Sequence, residues 1–500
     1  MSPRATDSGR YAMTLDVGTS SVRAMLYNLH GQEVQGLEVQ QRYAVRVRGD
    51  GTAELDADQL TRLSARCLAK LLRLAGRRKA GGIATVGVST FWHGLLAADD
   101  SANALTPLYL WSDSRSRDVV GRLTDRLDAE GVRLRTGCPL HPSYWPAKLE
   151  WLRAERTDLW KRPVKWLSFG DLLYWRMFGK LGTSLSMASG TGLFLLGDCR
   201  WDEELLSELH ISPASLPPIA EAERGLTARY RRLLPELADV PWVHAAGDGA
   251  LANLGSDCTS VSDRALTIGT SAALRVMHSA PAMGRLPAGL WRYRLDRARL
   301  VTGGALSNGG NLRDWLLKTL RLTDKRLEEQ MRRAAPRAHG LTFLPNLAGE
   351  RSPGFAAHAV GAVAGLTPAT TADDIARAGL ESVAIQLTQI DRQLDEVLPG
   401  AKRLVASGTA LLKSPAWMQM IADATGRPVA PARTKEASSR GAALFAAEYL
   451  GIGRRPMRKP AAGKVFKPRR GSANAFTEVD RREKALYRAL AVDRILDSGE

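Results

Sequence analysis

The chain has 500 residues, of which 44% are hydrophobic and 24% are charged, a balance that supplies sizeable buried cores and excludes a mainly disordered protein. This length predicts two large domains or three small ones. The formal net charge of +18 permits a polyanionic partner, but it also fits an arginine-rich composition without functional meaning.

Targeting and metal-binding patterns are missing from the sequence. No run reaches the roughly 18 apolar residues that span a bilayer, and the start lacks the three regions of a secretory signal. We therefore expect a cytoplasmic protein with no membrane partner. The cysteines show no CxxC pair, so neither a zinc site nor a disulfide framework is indicated. They are Cys67, Cys138, Cys199 and Cys258.

The first predicted elements form a small antiparallel meander. Met13 to Asn28 is apolar on both sides of a Gly-Thr-Ser-Ser turn and predicts a β-hairpin, and residues 32–47 alternate enough for a further strand. Helical spacing follows over Ala57 to Leu74, and Gly82 to Thr90 is typical of a central strand. Later helices are predicted over Trp145 to Arg156 and Phe169 to Phe178.

An internal repeat relates the two halves of the chain. The segment from Thr267 to Arg275, TIGTSAALR, echoes DVGTSSVR from Asp16 to Arg23, half a chain earlier. Each copy has the pattern of a strand, a Gly-Thr-Ser turn and a second strand. The repeat predicts two related α/β domains that face each other across a cleft.

The second half continues the same alternation of strands and helices. A short strand over Phe343 to Ser352 runs into a loop, and Thr371 to Leu398 has helical spacing. A strand over Leu404 to Ala406 ends in Ser-Gly-Thr-Ala, and Ser414-Pro415 marks the start of a helix. A glycine-rich strand end that leads into a helix suits the binding of an anion.

Basic residues are concentrated near the end of the chain. The segment from Gly451 to Arg470 carries eight basic residues and no acidic one. One interpretation is an exposed, solvated segment, and the other is casual binding to nucleic acid or another polyanion. Charge alone supports the second interpretation, so no specific nucleic-acid partner is expected.

The phosphate-binding candidates are the two Gly-Thr-Ser turns, because the chain has neither a GxxxxGK[ST] loop nor a dinucleotide fingerprint. Glycine lets a phosphate approach the backbone, hydroxyls donate hydrogen bonds, and Asp16 beside the first turn can hold Mg²⁺ directly or through water. Any single turn of this kind is usually only a turn. The pair together with Asp16 favours a phosphate site.

A second carboxylate, Asp248, lies between two glycines after an apolar stretch. The glycines are expected to expose it at a strand end and to leave room for substrate, and an ionised carboxylate there can accept a hydroxyl proton. An ordinary Asp turn is the alternative. A mixture of aromatic and polar residues around Trp92, His93 and Asp113 suits a sugar.

Eight motifs, in order, resemble those of the FGGY carbohydrate kinases over about residues 12–450. The resemblance implies two ribonuclease H-like (actin-like ATPase) domains of α/β class, with sugar deep in the cleft and ATP mainly on the second domain. The expected divisions are an N-terminal domain over 1–246, a C-terminal domain over 247–450 and a basic C-terminal tail over 451–500. The motifs are DVGTSSVRAMLYN, WSDSR, AAGDGALANLGS, LTIGTSAALRV, LSNGGNLRDWL, GERSP, VGAVAGLTP and ASGTALLKSPAWMQMIADATGRPV.

The same resemblance assigns roles to individual positions. Asp248 matches the catalytic base, and Asp16 the residue at Mg²⁺ and the transferred phosphate. Positions that resemble the sugar contacts are Trp92, His93, Asp113, Asp248 and Gly249. Positions that resemble the ATP contacts are Thr19, Arg23, Thr270, Gly310, Asp314, Gly408, Thr409 and Lys413.

Within the family, residues 135–152 look most like the gluconate-kinase branch. The expected substrates are therefore ATP and a sugar or sugar acid, with gluconate favoured and xylulose or another ketose as the alternative. A sugar acid would need a cation near its carboxylate, for which the candidates are His93, His141, Lys148 and Arg351. A non-catalytic ATP-binding regulator is disfavoured because Asp16 and Asp248 are both present. The sequence leaves a homodimer open.

Overall fold

Two six-stranded mixed sheets form the framework of the chain. The structure is a computed structural model that describes residues 10–78, 81–280, 284–333, 339–347, 349–452 and 463–493. Two large apolar clusters form the cores, and the first of them also includes side chains of the second half such as Met277, Tyr293 and Val301. A third cluster fills the space among the helices of the first half.

The first half contains thirteen strands and eight α-helices within its described residues. The strands are β1 (Arg10–Val17), β2 (Ser21–Asn28), β3 (Glu33–Arg42), β4 (Arg46–Val47), β5 (Ala53–Leu55), β6 (Gly82–Thr90), β7 (Leu96–Ala98), β8 (Leu108–Tyr109), β9 (Lys165–Leu167), β10 (Phe194–Leu195), β11 (Arg200–Trp201), β12 (Ala222–Glu223) and β13 (Trp242–Gly247). The helices are α1 (Ala57–Arg77), α2 (Val119–Arg126), α3 (Ala129–Thr136), α4 (Trp145–Glu155), α5 (Phe169–Phe178), α6 (Leu185–Ser189), α7 (Glu203–Glu208) and α8 (Ala228–Leu233).

The second half contains the remaining elements of the described chain. Its strands are β14 (Asp263–Ile268), β15 (Ala272–Ser279), β16 (Trp291–Arg294), β17 (Arg299–Leu306), β18 (Thr342–Leu344), β19 (Ala362–Ala364), β20 (Arg403–Ser407) and β21 (Val429–Pro431). Its helices are α9 (Asp248–Gly255), α10 (Gly310–Thr319), α11 (Asp324–Arg333), α12 (Ala372–Val397), α13 (Thr409–Leu412), α14 (Pro415–Thr425), α15 (Ala437–Tyr449) and α16 (Ser472–Tyr487).

The first sheet has the strand order β12-β13-β6-β1-β2-β3. β1, β2 and β3 pair antiparallel, which confirms the predicted meander. β6 lies between β1 and β13 and is parallel to both, which confirms the prediction of a central strand. β6 is buried along most of its length, as expected for a strand covered on both faces.

The second sheet repeats this arrangement. Its order is β16-β17-β15-β14-β20-β21, in which β14 and β15 form a hairpin and β14, β20 and β21 run parallel. The series β13-β6-β1-β2-β3 therefore corresponds to β21-β20-β14-β15-β17. This correspondence confirms the two related α/β domains that the repeated Gly-Thr-Ser segments predicted. Ser414 caps α14 with Pro415 at its first position, also as predicted.

Helix α15 covers the first sheet although it lies near the end of the chain. It packs on β1, β6 and α9. Close approach is possible because glycines stand at the contacts: a Cβ on Gly87 would overlap the backbone of Ala442, and a Cβ on Gly441 would overlap the backbone of Leu251. The expected boundary at residue 246 lies at the end of β13, between the two sheets. α15 belongs to the range 247–450 by sequence, yet it packs on the first sheet.

The described part of the C-terminal segment packs on the second domain. Phe466 forms an isolated antiparallel β-bridge with Val429, the first residue of β21. α16 packs on α12, α14 and β18. Phe466, Phe476 and Val479 are all buried in the second core. Within the segment 451–470, residues 463–470 are exposed apart from Phe466 and Pro468, whereas Phe476 and Val479 of the following helix bury against the domain. Residues 453–462, which hold four of the basic side chains, lie outside the described residues.

Two absences hold for the described residues. Among the helices seen there, none combines the length and apolar character that crossing a bilayer requires. The cysteines are all free, and Cys67, Cys138 and Cys258 are buried.

Candidate active site

Three parallel strands of the first sheet end side by side and bring distant residues together. In the ladder, Val17 of β1 lies opposite Thr90 of β6, and Thr90 lies opposite Gly247 of β13. Because parallel strands end at the same edge of a sheet, the residues next to these positions become neighbours. Asp16, the segment 91–93 and Asp248 therefore meet at this edge.

The glycines around Asp248 make room for an indole ring. Asp248 is the first residue of α9, and a Cβ on either Gly247 or Gly249 would overlap the ring of Trp92. The Trp92 indole Nε1–H donates to the Ser186 carbonyl oxygen at 2.9 Å, which fixes the ring. These glycines leave space for the Trp92 ring, and Gly249 and Trp92 both line the cavity described below.

The Asp248 carboxyl group has a pKa raised to about 6. Burial is the largest cause, and the negative charge of Asp16 raises this pKa further, while the positive charges of Arg275 and Arg351 and the Gly249 N–H lower it. The N–H donates to Asp248 Oδ1 at 2.7 Å. The group is thus ionised near neutral pH yet has a higher proton affinity than an ordinary aspartate, as suits a general base.

Arg275 lies on β15 and joins the two halves of the site; the sequence analysis did not single it out. Its Nε–H donates to Asn253 Oδ1 at 3.1 Å and an Nη–H donates to Thr267 Oγ1 at 2.7 Å. Thr267 Oγ1 in turn lies 2.9 Å from Ser407 Oγ. The repeat gave only a partial signal, because Arg275 ends the second copy but stands one residue further from its Gly-Thr-Ser turn than Arg23 does in the first copy.

Asp16 is held by hydroxyl groups. Ser438 of α15 donates its O–H to Asp16 Oδ2 at 2.7 Å, and burial raises the pKa of Asp16. Arg23 lowers that pKa but is itself ion-paired with Glu38 at 3.0 Å and with Glu436. Arg23 is therefore paired with Glu38 and Glu436. The ionised Asp16 carboxylate would be compensated by a bound cation.

The chemistry at Asp16 fits Mg²⁺ bound mainly by water and substrate. No group of three or more His, Cys, Asp or Glu in the described ranges could hold a metal ion by itself. Mg²⁺ commonly uses one or two carboxylates together with waters and substrate phosphates. Asp16 can provide such a carboxylate, and Thr19 lies partly exposed in the adjacent hairpin turn.

A cavity beside Asp248 is lined by both halves of the chain. Trp92 and His93 come from the first half of the chain, and Asp248 begins α9. Trp291, Tyr293 and Arg351 come from the second half. Gly249 and Arg275 also line it. Aromatic faces together with polar groups suit the C–H surfaces and hydroxyls of a sugar.

The structure does not bring Asp113 into this cavity. Its side chain is 2% exposed, pairs with Arg115 at 2.6 Å and accepts the Ala53 N–H at 3.0 Å. Arg115 also pairs with Glu54 at 3.0 Å. The expectation of a sugar contact at Asp113 is not met, because an ion-pair network occupies both carboxylate oxygens.

His93 presents a neutral ring to the cavity. Burial lowers its pKa to about 3, and its Nδ1 lies 2.5 Å from the Gly190 carbonyl oxygen. A carbonyl can only accept, so Nδ1 carries the proton and Nε2 is an acceptor. The ring can therefore accept a hydrogen bond from a sugar hydroxyl, but it supplies no positive charge.

Of the four candidate cations, Arg351 alone both lines the cavity and carries charge. His141 has a pKa lowered to about 3 by burial and bonds the Glu350 carbonyl through Nε2 at 2.8 Å. Lys148 donates to the carbonyls of Pro142 at 2.5 Å and Ser143 at 2.8 Å, and burial lowers its pKa to about 7.

The Arg351 guanidinium lies over the Trp111 ring, 4.1 Å from its centroid. One Nη–H donates to the Leu306 carbonyl at 2.8 Å, and Nε has no hydrogen-bond partner among the described residues. Burial lowers its pKa to about 10, which keeps it charged at neutral pH. Stacking and a single backbone bond thus hold this cation, which forms no direct salt bridge among the described residues, although the charge of Asp248 raises its pKa.

The residues expected around the nucleotide meet at one edge of the second sheet. Parallel strands β14 and β20 end at Ile268 and Ser407, which places the turn at 269–271 beside residues 408–413. α10 begins there, because its first N–H donates to the Gly269 carbonyl at 3.0 Å. The exposed side chains at this edge are Thr270, Asp314, Thr409 and Lys413, and the two glycines are Gly310 and Gly408.

Gly408 has a conformational reason to be glycine. Its φ is 90°, and a Cβ there would overlap the backbone of Ile268. Gly310 is equally close to Gly269. Both glycines are therefore required by the close approach of backbone segments at this edge.

Both halves match models of one family. The model of the FGGY family of carbohydrate kinases, N-terminal domain, matches residues 11–255, and the model of its C-terminal domain matches residues 265–448. Together they cover both six-stranded sheets. The segment with α16 lies beyond the second match.

Similar proteins span most of the chain. A gluconokinase of Bacillus subtilis (strain 168) is 27% identical over 454 residues, with 87% of this chain and 86% of the relative covered. A glycerol kinase of Aromatoleum aromaticum is 30% identical over 457 residues, with 89% and 90% covered. Among solved structures, ligand-bound xylulose kinase and gluconate kinase, both from Lactobacillus acidophilus, give TM-scores of 0.87 and 0.86. Each is 26% identical, and each match covers 96% of this chain and 98% of the other.

Proposed function

Because this chain belongs to the FGGY family of carbohydrate kinases, we propose that it transfers the γ-phosphoryl group of ATP to a terminal hydroxyl of gluconate. The family membership makes it a carbohydrate kinase with ATP and a sugar as substrates. The sugar acid, the hydroxyl and the roles of individual residues are the parts that we propose.

Asp248 is the proposed general base. Its carboxylate accepts the proton of the sugar hydroxyl as the hydroxyl oxygen attacks the γ-phosphorus. The bond between the γ-phosphorus and the bridging oxygen breaks, and ADP leaves with the negative charge on that oxygen. Alignment and charge neutralisation dominate catalysis of phosphoryl transfer. Arg275 supports this step because its charge keeps the pKa of Asp248 from rising further.

Asp16 is the proposed carboxylate for Mg²⁺, which when bound neutralises charge on the phosphates. The O–H donated by Ser438 orients the carboxylate. ATP would lie along the edge of the second sheet, near Thr270, Gly310 and Gly408, with Thr409, Asp314 and Lys413 at its margin. Thr19 would approach the phosphates from the first hairpin. We do not assign Arg23 to the phosphates, because it is paired with Glu38 and Glu436.

The observation that carries the choice of a sugar acid is the Arg351 guanidinium in the cavity wall, whose Nε has no hydrogen-bond partner among the described residues. A planar guanidinium binds a carboxylate through paired hydrogen bonds. The similarity to a gluconokinase supports the same choice. A neutral ketose is the second candidate, because the chain is equally similar in structure to a xylulose kinase.

A substrate panel tests the proposal. ADP formation is measured with gluconate, with glucitol as its uncharged counterpart, and with xylulose and glycerol. We expect kcat/KM for gluconate to exceed that for glucitol by at least about 100-fold, since a charge-assisted bidentate pair is worth a few kcal/mol in a buried site. A clear preference for xylulose or glycerol would reject gluconate, and ATP hydrolysis that no sugar stimulates would favour a non-catalytic regulator.

Arg351→Gln isolates the proposed carboxylate contact. It should abolish most of the preference for gluconate over glucitol while kcat/KM for glucitol changes little. Arg326→Gln is the matched control, because Arg326 is exposed and pairs with Asp373 on the surface. Equal losses for both substrates would show that Arg351 only maintains the cavity.

A further inference from the structure

A second cavity lies in the C-terminal part of the chain, between α12, α16 and the loop at 350–354. Its walls include Pro353, Gln393, Glu350, Glu483 and Tyr487. It shares no lining residue with the sugar cavity. Helix α16, which lies outside the family match, forms one side of it.

Glu483 is the feature of this cavity that lacks an explanation. The residue is 3% exposed, and its Oε2 accepts no hydrogen bond from any part of the chain that the structure describes. Oε1 of Gln393 in the same wall is also buried without a partner there. Buried acceptors are normally satisfied, because leaving one unpaired costs about 1 to 3 kcal/mol.

The nearby basic groups are already paired. Asp480 accepts hydrogen bonds from Arg392 at 2.9 Å and from Lys484 at 3.0 Å. Glu350 accepts the Tyr487 O–H at 2.6 Å. Three glutamates, Glu350, Glu396 and Glu483, line the cavity beside the paired cations Arg392 and Lys484, so the wall offers an excess of hydrogen-bond acceptors.

When no cation is bound, protonation of the buried glutamates in the wall removes their negative charge. Burial raises the pKa of Glu350 to about 7 and that of Glu483 well above its usual range, and the charges of Asp480 and Glu350 raise the pKa of Glu483 further. A bound cation would replace these protons. Binding at neutral pH should therefore release protons to the buffer.

We propose that this cavity binds a small aliphatic amine, with its ammonium group at Glu483 and its alkyl part against Pro353 and Tyr487. An ammonium N–H satisfies the unpaired acceptors, and the apolar surfaces of the wall accommodate methylene groups. An organic cation fits better than a metal ion, because no set of three or more metal-ligating side chains is found in the described ranges. The proposal is independent of the sugar that the enzyme phosphorylates.

Titration calorimetry of the full chain with 1,4-diaminobutane tests this site. We expect saturable binding at pH 7.5, with an apparent enthalpy that differs between phosphate and MOPS buffers, neither of which contains a primary amine, by the heat of the released protons. 1,4-Butanediol has the same length without charge and should not bind. The net charge of +18 repels a cation in general, so saturable binding requires a local acidic site.

Two variants on α16 identify the residue. Glu483→Gln keeps the shape of the side chain and should weaken diamine binding by at least tenfold. Glu478→Gln is the matched control, since Glu478 pairs with Arg481 and Arg482 away from the cavity, and it should bind as the wild type does. The melting temperature of each variant verifies folding. Absence of binding by the wild type, equal binding of the diol, or undiminished binding by Glu483→Gln would each overturn the proposal.

Discussion

Asp248 combines accessibility to the cavity with an environment that raises its proton affinity. Burial and the neighbouring Asp16 favour the protonated form, whereas Arg275 and Arg351 favour the carboxylate. The resulting pKa of about 6 lies between that of a surface aspartate and neutral pH. A base of this kind accepts a proton more readily than an ordinary aspartate and is still ionised where the reaction runs.

Asp248→Asn should lower kcat by about 10² to 10⁴-fold, the usual contribution of a positioned general base. The change preserves shape, so the KM for ATP should stay within about threefold of the wild-type value. Steady-state ADP release measures both. Asp198→Asn alters an exposed aspartate paired with Arg200 and should leave turnover unchanged. Wild-type kcat in Asp248→Asn would contradict the role.

The acid limb of the pH profile should lie near pH 6. Because the carboxylate is the active form and its pKa is raised to about 6, kcat/KM should fall about tenfold per pH unit below that value. Arg275→Gln removes a positive charge that lowers this pKa, so the limb should move to higher pH, whereas Arg275→Lys should keep it near its original position. A limb near pH 4, or one that does not move in Arg275→Gln, would contradict this.

At the scale of single elements, α16 belongs to the second core. Phe476 and Val479 are buried, and the helix packs on α12, α14 and β18. The segment before it is anchored by Arg469, which pairs with the fully buried Asp423 at 2.6 Å. The high basic content of residues 451–470 concealed this arrangement, because composition reports charge and not which apolar residues find a core.

Phe476→Ala should lower the free energy of unfolding of the second domain by about 3 to 5 kcal/mol, the usual cost of deleting a buried phenyl group. Differential scanning calorimetry or denaturant unfolding would measure the loss. Val492→Ala is the control, because Val492 follows α16 and is 61% exposed. If both variants unfold like the wild type, the helix does not contribute to the core.

At the scale of the whole molecule, α15 couples the two halves. It follows the second sheet in sequence yet packs on the first, and it carries Ser438, which donates to Asp16, and Ser439, whose Oγ lies 2.7 Å from Thr14 Oγ1. Its contact with α9 places it against the helix that begins at Asp248. Both carboxylates of the site thus depend on the position of α15.

Gly441→Ala should therefore impair activity and stability together. The added Cβ would overlap the backbone of Leu251, so α15 must move from α9, at a cost of about 1 to 3 kcal/mol or more. We expect kcat to fall at least tenfold and the melting temperature to drop. Gly76→Ala, in an open part of α1 with no neighbour within 4 Å, should be neutral or slightly stabilising. Equal behaviour of the two variants would reject the coupling.

The amino-acid sequence alone determined the hairpins, the central strand β6, the long helix α12 and the repeated α/β plan, because alternation, helical spacing and caps are local properties. The motif order similarly identified the family and the neighbourhood of Asp16 and Asp248. Only the tertiary structure decided that Asp113 pairs with Arg115, that Trp92 fills the space beside Gly247, and that Arg351 lines the cavity together with Arg275. It also decided that α15 and α16 pack where they do. These facts depend on which distant side chains meet and desolvate each other, and no local pattern carries that information.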